Sequence, residues 1–72
     1  MKYIDLIAKS FNEPKKSIKE NVQLSKYNWD SMTKINLITM IDKKYKKILD
    51  YKKFNKIKTF GELDKLIFKK LK

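Results

Sequence analysis

Three residue types with distinctive chemistry are missing from this 72-residue chain, namely cysteine, histidine and arginine. Without cysteine there are no disulfides and no thiolate metal ligands, and without histidine the commonest general base and metal ligand is absent. No apolar run approaches the roughly 20 residues of a membrane span. The N-terminal segment also lacks the hydrophobic region of a signal peptide. We therefore expect a soluble cytoplasmic protein.

The positive charge comes entirely from lysine and is unevenly distributed. The net charge is +11, and residues 31–58, with nine lysines and two carboxylates, carry +7 of it. A basic surface of this kind usually indicates nucleic acid, an anionic membrane or an acidic protein partner. The alternative is a drift in composition toward Lys, Ile and Asn, in which the lysines are merely solvated.

Hydrophobic periodicity predicts an all-α fold for a single domain, residues 1–72. A first helix is predicted over 2–12, and Pro14 ends it because proline disfavours helix at the residue before it. A long connection over 13–29 follows, in which a helical turn could form near its start and spaced apolar residues pin the chain over the bundle. A second helix is predicted over 31–47.

The last third of the chain predicts two more helices. Asp50 can cap a short third helix over 51–57, with Tyr51, Phe54 and Ile57 pointing inward. Thr59 and Glu62 fit a capping box and open a fourth helix that ends at about residue 71. The second helix carries an apolar stripe at helical spacing, formed by Ile35, Ile38, Ile41, Tyr45 and Ile48 and widened by Leu37. The residues expected to be buried together are Ile4, Ile7, Phe11, Ile38, Ile41, Ile57, Leu63 and Ile67.

An Asp-Ser pair stands where the long connection becomes the second helix. Asp30 is a good N-cap, because its carboxylate can accept free N–H groups of the first turn. Ser31 then lies in that turn with its hydroxyl outward, where a negative group would meet the positive end of the helix dipole. A hydrolase serine would need a histidine base and a glycine-rich elbow, and both are absent. Helix capping alone would explain the pair, but we interpret Ser31 as a site that another enzyme modifies.

The chain resembles the acyl carrier and peptidyl carrier protein family over about residues 3–68. In that family an Asp-Ser-Leu/Met motif opens the second helix, matched here by Asp30, Ser31 and Met32. A threonine-containing cap opens the last helix, matched here by Thr59. The apolar positions of the family's second helix are matched by Ile35, Leu37, Ile38, Ile41 and Tyr45.

The resemblance implies a four-helix bundle of acyl-carrier type with a short third helix. It implies a non-catalytic carrier whose Ser31 receives a 4′-phosphopantetheine arm from coenzyme A, through a phosphopantetheinyl transferase that uses a divalent metal. The arm would hold an acyl or aminoacyl thioester for lipid or secondary-metabolite biosynthesis. Its partners would be that transferase, a loading enzyme and a downstream acyltransferase or synthase. We expect a monomer without catalytic residues or a metal site of its own.

The charge of the chain departs from the family pattern. Carriers are usually acidic, whereas the second helix here offers Thr33, Asn36, Lys43 and Lys44. The residues we predict to dock partners are Met32, Lys34, Lys43 and Lys44. We therefore expect dedicated partners with neutral or acidic docking sites.

A small basic helical nucleic-acid-binding protein is the alternative function. The lysine-rich segment favours it, but the chain lacks arginine, the usual bidentate reader of bases, and has no recognition-helix motif. Trp29 is expected to anchor the loop on the bundle rather than to stack on a ligand. Met32 is expected to be a partly exposed contact residue.

Overall fold

The computed structural model describes all 72 residues and contains three α-helices. Helix α1 spans Ile4–Phe11, α2 spans Ser31–Tyr45 and α3 spans Phe60–Leu71. No strand is present, and none of the helices is both long and apolar enough to cross a bilayer. The prediction of an all-α fold is confirmed. Short 3₁₀ helices occupy Lys15–Ser17, Leu24–Lys26 and Tyr51–Lys56.

The predicted third helix is a 3₁₀ helix rather than an α-helix. Asp50 caps it as expected, because its carboxylate accepts the Lys52 N–H at 3.0 Å. Of the three side chains predicted to point inward, Phe54 is buried, Ile57 is half-buried and Tyr51 lies at the surface. The ring of Tyr51 instead packs edge-on against Phe54, with 6.1 Å between ring centroids.

Residues with left-handed backbone end the first two α-helices earlier than predicted. Asn12 has φ 56° and ends α1, which suits asparagine, one of the few residues that visits this conformation readily. Lys46 has φ 58° and ends α2 at Tyr45, two residues before the predicted end. The chain after Lys46 is therefore free to run back along α2 toward the 3₁₀ helix of Tyr51–Lys56.

Aromatic contacts fix which ends of the helices lie together. Phe11, at the end of α1, stacks on Trp29 at 5.4 Å and packs edge-on against Phe60 at 5.0 Å. Tyr3, just before α1, meets Tyr45 at the end of α2, with 6.1 Å between ring centroids. Helix α1 thus runs opposite to α2 and α3.

The N-terminal residues are tied to α3. The Asp64 carboxylate accepts the backbone N–H groups of Lys2 and Tyr3, at 3.2 and 2.8 Å. The Lys2 ammonium also lies 4.8 Å from the ring centroid of Phe68. The second half of α3 is therefore at the end of the bundle opposite to the start of α2.

One hydrophobic core joins all of these elements. Five of the eight residues predicted to be buried together belong to it, and Ile4, Ile38 and Ile57 pack at its margin. The buried apolar residues are Leu6, Ile7, Ala8, Phe11, Ile18, Leu24, Leu37, Ile41, Leu49, Phe54, Phe60, Leu63 and Ile67.

The core-facing side of α2 differs from the predicted stripe. Leu37 and Ile41 are fully buried, whereas Ile35 and Ile48 are exposed. At about 100° per residue, positions 35 and 37 project on nearly opposite sides of the helix, so they cannot both face the core. Ile48 lies beyond the end of α2, so helical spacing does not place it. The buried Thr33 completes the inward face, one turn before Leu37.

The connection over 13–29 is pinned to the bundle as predicted. Ile18 and Leu24 are buried and Val22 is half-buried. The backbone of this connection also bonds the segment before α3, where the Leu24 N–H donates to the Lys58 carbonyl at 2.7 Å. The isolated antiparallel bridge between Gln23 and Thr59 belongs to the same seam.

Candidate functional site

The start of α2 is held by the side chain of Asp30. Its backbone is extended, and its carboxylate accepts the Thr33 N–H at 2.9 Å, which confirms the predicted N-cap. Hydrogen bonds from the Thr33 N–H and then from the Thr33 hydroxyl lower the pKa of Asp30 below its ordinary value. The cap is therefore ionised at neutral pH, and the backbone at Ser31 is fixed by it.

Ser31 is the first residue of α2, and its side chain is exposed. The phenol of Tyr51 is the one side chain that hydrogen-bonds the Ser31 hydroxyl, and it donates to Ser31 Oγ at 3.2 Å. No carboxylate or amine lies within hydrogen-bond distance of this oxygen to remove its proton. Any reaction at Ser31 therefore needs a base supplied from outside the chain.

Lys34 packs beside the serine against two aromatic rings. Its ammonium lies 5.2 Å from the Trp29 ring centroid and 5.7 Å from that of Tyr51, within the range of a cation–π interaction. Trp29 itself stacks on Phe11 and meets Phe54 edge-on at 5.2 Å. The prediction that Trp29 anchors the loop on the bundle is confirmed, and through this anchor Lys34 is held near Ser31.

Three of the four large hydrophobic side chains that remain exposed lie close to Ser31. The four are Met32 at 70%, Ile35 at 54%, Ile48 at 69% and Tyr51 at 38% of full exposure. Met32 and Ile35 project within about 100° of Ser31 around α2, and the Tyr51 hydroxyl contacts Ser31 Oγ. We call the surface formed by Ser31, Met32, Ile35 and Tyr51 the serine face.

Of the residues predicted to dock partners, Met32 and Lys34 lie beside Ser31, whereas Lys43 and Lys44 lie elsewhere. The last two are about 18 Å farther along the α2 axis, where they line a shallow groove against Asp5 and Lys9 of α1. The pKa of Asp5 is lowered first by its 2.7 Å contact with Lys15 and also, more weakly, by Lys44. The structure thus separates the four predicted docking residues into two surfaces.

Sequence reasoning missed the exposure of three apolar residues. Ile35 and Ile48 were placed in the core-facing stripe and Tyr51 inside the bundle, but all three are exposed. The exposure of Ile35 could be recognised from its spacing to Leu37, because residues two apart on a helix do not share one face. No sequence signal places the Tyr51 hydroxyl on Ser31, since that contact depends on how the chain returns after Lys46.

The start of α2 fits a negatively charged group on Ser31. The N–H groups of Ser31 and Met32 have no intrahelical acceptor, because they belong to the first turn. The Lys34 ammonium and the Tyr51 hydroxyl lie on the same side, and the helix dipole adds partial positive charge. The Asp30 carboxylate opposes this charge, but its contact with the Thr33 N–H directs it toward the helix backbone.

Most lysines of the chain carry unneutralised charge. The single ion pair joins Lys15 to Asp5, which leaves eighteen of the nineteen lysines unpaired.

Comparison with known proteins found no matching family model, curated protein or solved structure.

Proposed function

We propose that this protein is a carrier whose Ser31 is modified with 4′-phosphopantetheine, and that it presents an acyl or aminoacyl thioester to partner enzymes. The observation that carries the proposal is an exposed serine hydroxyl on the first residue of α2, held by an Asp30 cap and surrounded by exposed apolar side chains. A serine in this position is reachable by another protein and costs the fold little to modify.

In the attachment step, Ser31 Oγ forms a bond to the pantetheine-side phosphorus of coenzyme A. The bond from that phosphorus to the bridging oxygen of the pyrophosphate breaks, and 3′,5′-adenosine diphosphate leaves. The proton of the hydroxyl passes to a base of the transferase, because no base lies beside Ser31 in this chain. A divalent metal held by the transferase would offset the charge of the pyrophosphate.

The residues around Ser31 have distinct parts in this proposal. Asp30 fixes the first turn of α2 and so the direction of the Ser31 side chain. The Tyr51 O–H, which donates to Ser31 Oγ, can turn to a phosphate oxygen, and Lys34 adds positive charge close by. The attached group would supply the thiol that a chain without cysteine lacks.

The helix order agrees with a carrier-type bundle. In this reading the 3₁₀ helix of Tyr51–Lys56 takes the place of the short third helix of the family. Helix α3, with its threonine cap, takes the place of the last helix. We expect the protein to act as a monomer, with a transferase, a loading enzyme and a downstream acyltransferase or synthase as partners.

The test is the intact mass of the protein after incubation with coenzyme A, magnesium and a broad-specificity phosphopantetheinyl transferase. The wild type should gain one phosphopantetheine, and Ser31→Ala should gain none. Ser25→Ala is the matched control, since Ser25 is exposed but lies in the connection before α2, and it should be modified like the wild type. A wild type left unmodified by several transferases would overturn the proposal.

The second candidate, nucleic-acid binding, is favoured by the eighteen unpaired lysines. Lysine contacts to phosphates release counterions, so such binding must weaken steeply as salt increases. Gel-shift measurements with single- and double-stranded oligonucleotides, from low to physiological salt, separate this function from the carrier proposal. Tight, salt-dependent complexes with an unmodified Ser31 would favour the nucleic-acid function.

A further inference from the structure

The hydrogen bond between Tyr51 and Ser31 joins two segments that are 20 residues apart in the sequence. The Tyr51 phenol donates to Ser31 Oγ at 3.2 Å, from the first residue of the 3₁₀ helix to the first residue of α2. Both side chains are at the surface, where water can replace a lost hydrogen bond, so the contact adds little to the stability of the fold. Its main consequence is therefore for the serine hydroxyl itself.

The Tyr51 ring is held in place by its neighbours. The Asp50 carboxylate caps the 3₁₀ helix by accepting the Lys52 N–H at 3.0 Å, which fixes the backbone beside the ring. The ring packs edge-on against the buried Phe54, with 6.1 Å between ring centroids, and the Lys34 ammonium lies 5.7 Å from its centroid. The position of the phenol oxygen is therefore set by contacts other than the one it makes with the serine.

The start of α2 rests on the same aromatic side chains. Trp29, two residues before Ser31, meets Phe54 edge-on at 5.2 Å and stacks on Phe11 at 5.4 Å. The Asp30 cap, between Trp29 and Ser31, fixes the first turn of the helix. Because both partners of the hydrogen bond are held through Phe54, the packing of the bundle sets the distance between them.

A fixed donor beside Ser31 limits where the serine oxygen can lie. Rotation about the Cα–Cβ bond gives serine three staggered rotamers, and Oγ takes a different position in each of them. The 3.2 Å contact with Tyr51 is kept only while Oγ stays on the side of the phenol. The hydrogen bond therefore favours one direction of the hydroxyl group over the others.

The contact leaves free the two parts of the hydroxyl that the attachment step uses. A serine hydroxyl has one O–H donor and two acceptor lone pairs, and Tyr51 occupies one lone pair. Attack on the pantetheine-side phosphorus of coenzyme A needs the other lone pair, and the O–H must reach the base of the transferase. As that proton leaves, negative charge grows on Oγ, and a hydrogen bond donated to it becomes stronger. The bond from Tyr51 therefore stabilises the transition state more than the ground state.

We propose that Tyr51 is a positioning residue for the modification of Ser31, because its phenol holds Oγ in the rotamer from which the hydroxyl attacks coenzyme A. The bond from Oγ to phosphorus forms, and the bond from phosphorus to the bridging oxygen breaks with loss of 3′,5′-adenosine diphosphate. The hydroxyl proton passes to the transferase, and the Tyr51 phenol keeps its own proton. The inference rests on the proposed carrier function, and it adds a residue that lies outside the Asp-Ser motif.

The test compares two changes of tyrosine to phenylalanine, each of which removes one phenol oxygen. Tyr51→Phe removes the donor to Ser31 and keeps the ring that packs on Phe54. Tyr27→Phe is the matched control, because the Tyr27 phenol donates to the Ser17 carbonyl at 3.4 Å. With coenzyme A, magnesium and a broad-specificity phosphopantetheinyl transferase, Tyr51→Phe should lower kcat about fivefold and leave the KM for the protein within about twofold. Tyr27→Phe should keep both constants close to the wild-type values.

A second measurement uses the unmodified protein and needs no transferase. The three-bond NMR couplings between the α- and β-protons of Ser31 report the populations of its rotamers. In the wild type and in Tyr27→Phe these couplings should indicate one dominant rotamer. In Tyr51→Phe they should move toward the average of several rotamers, which a general loss of stability in the folded protein would not produce.

Unchanged couplings in Tyr51→Phe would overturn the proposal. An unchanged or raised kcat, an equal loss of kcat in Tyr27→Phe, or a loss confined to KM would overturn it as well, since the phenol would then not act on the attacking hydroxyl. Because the couplings are measured before any modification, a failure of Tyr51 to hold Ser31 is distinguishable from a failure of phosphopantetheine attachment.

Discussion

Helices α2 and α3 begin with the same chemistry but end up in different surroundings. In α2 the Asp30 carboxylate accepts the Thr33 N–H at 2.9 Å, and in α3 the Thr59 hydroxyl accepts the Glu62 N–H at 3.2 Å. Each cap thus bonds the N–H three residues ahead. Only α3 completes the box, because Glu62 turns back to accept the Thr59 N–H at 3.0 Å. The capping box is therefore complete at the start of α3, whereas the start of α2 has only the Asp30 half of it.

The neighbours of the two caps extend this difference. At α3, Phe60 and Leu63 are buried, and the Gly61 N–H donates to the Glu20 carbonyl at 3.0 Å. A Cβ on Gly61 would lie 3.1 Å from that carbonyl oxygen, so the connection over 13–29 presses closely on this helix. At α2 the first two residues, Ser31 and Met32, are exposed. One helix start is packed into the fold, and the other leaves a hydroxyl and an apolar side chain exposed.

The largest expected effect contrasts the two sides of α2. Leu37→Ala or Ile41→Ala should lower the free energy of unfolding by roughly 2–5 kcal/mol, because each removes a fully buried side chain from a thin core. Ile35→Ala on the serine face should change it by less than about 0.5 kcal/mol. Urea denaturation of the three variants measures this, and equal losses for Ile35→Ala and Ile41→Ala would show that the serine face is part of the core.

The next largest change in the free energy of unfolding distinguishes the two helix caps from Ser31. Thr59→Ala and Asp30→Ala should each cost on the order of 1 kcal/mol, because each frees an amide donor at a helix start. Ser31→Ala should stay within about 0.5 kcal/mol, since its exposed hydroxyl supports no packing. Thermal and urea unfolding provide the comparison. A Ser31→Ala variant as unstable as Thr59→Ala would mean that Ser31 is a structural residue.

The elements that sequence predicted well are those governed by local rules. The capping box of α3, the Asp30 cap and the end of α1 before Pro14 all depend on nearby residues. The misplaced residues, Ile35, Ile48 and Tyr51, depend on which face of α2 turns inward and on the path of the chain after Lys46. Burial of apolar residues is a one-way rule, so exposed isoleucines at plausible core positions cannot be recognised from their spacing alone.

A smaller effect concerns the stability of the protein at acidic pH. Hydrogen bonds from the Lys58 and Thr59 N–H groups lower the pKa of Glu62 from its ordinary 4.5, and those from Thr33 lower the pKa of Asp30 from its ordinary 3.8. Both carboxylates have lower pKa values folded than unfolded, so their stabilisation is present above these ordinary values. It is lost as the pH falls through the lower folded values.

The melting temperature should therefore fall as the pH drops below about 4.5, as the caps protonate. Glu62→Gln should begin from a lower melting temperature and fall less steeply over the same range, because one of the two titrating caps is removed. Lys69→Gln, an exposed change in the last turn of α3, is the control for altered charge alone. If Glu62→Gln follows the wild-type curve throughout, the carboxylate does not hold the start of α3.

The assignment of Ser31 as the modified residue is tested most directly by locating the phosphopantetheine within the chain. After reaction with coenzyme A and a phosphopantetheinyl transferase, tandem mass spectrometry of the digested protein distinguishes Ser31 from Ser10, Ser17 and Ser25. We predict a single phosphopantetheine on Ser31, whose hydroxyl is exposed at the helix start. Modification of another serine, or no modification of any serine by several transferases, would contradict it.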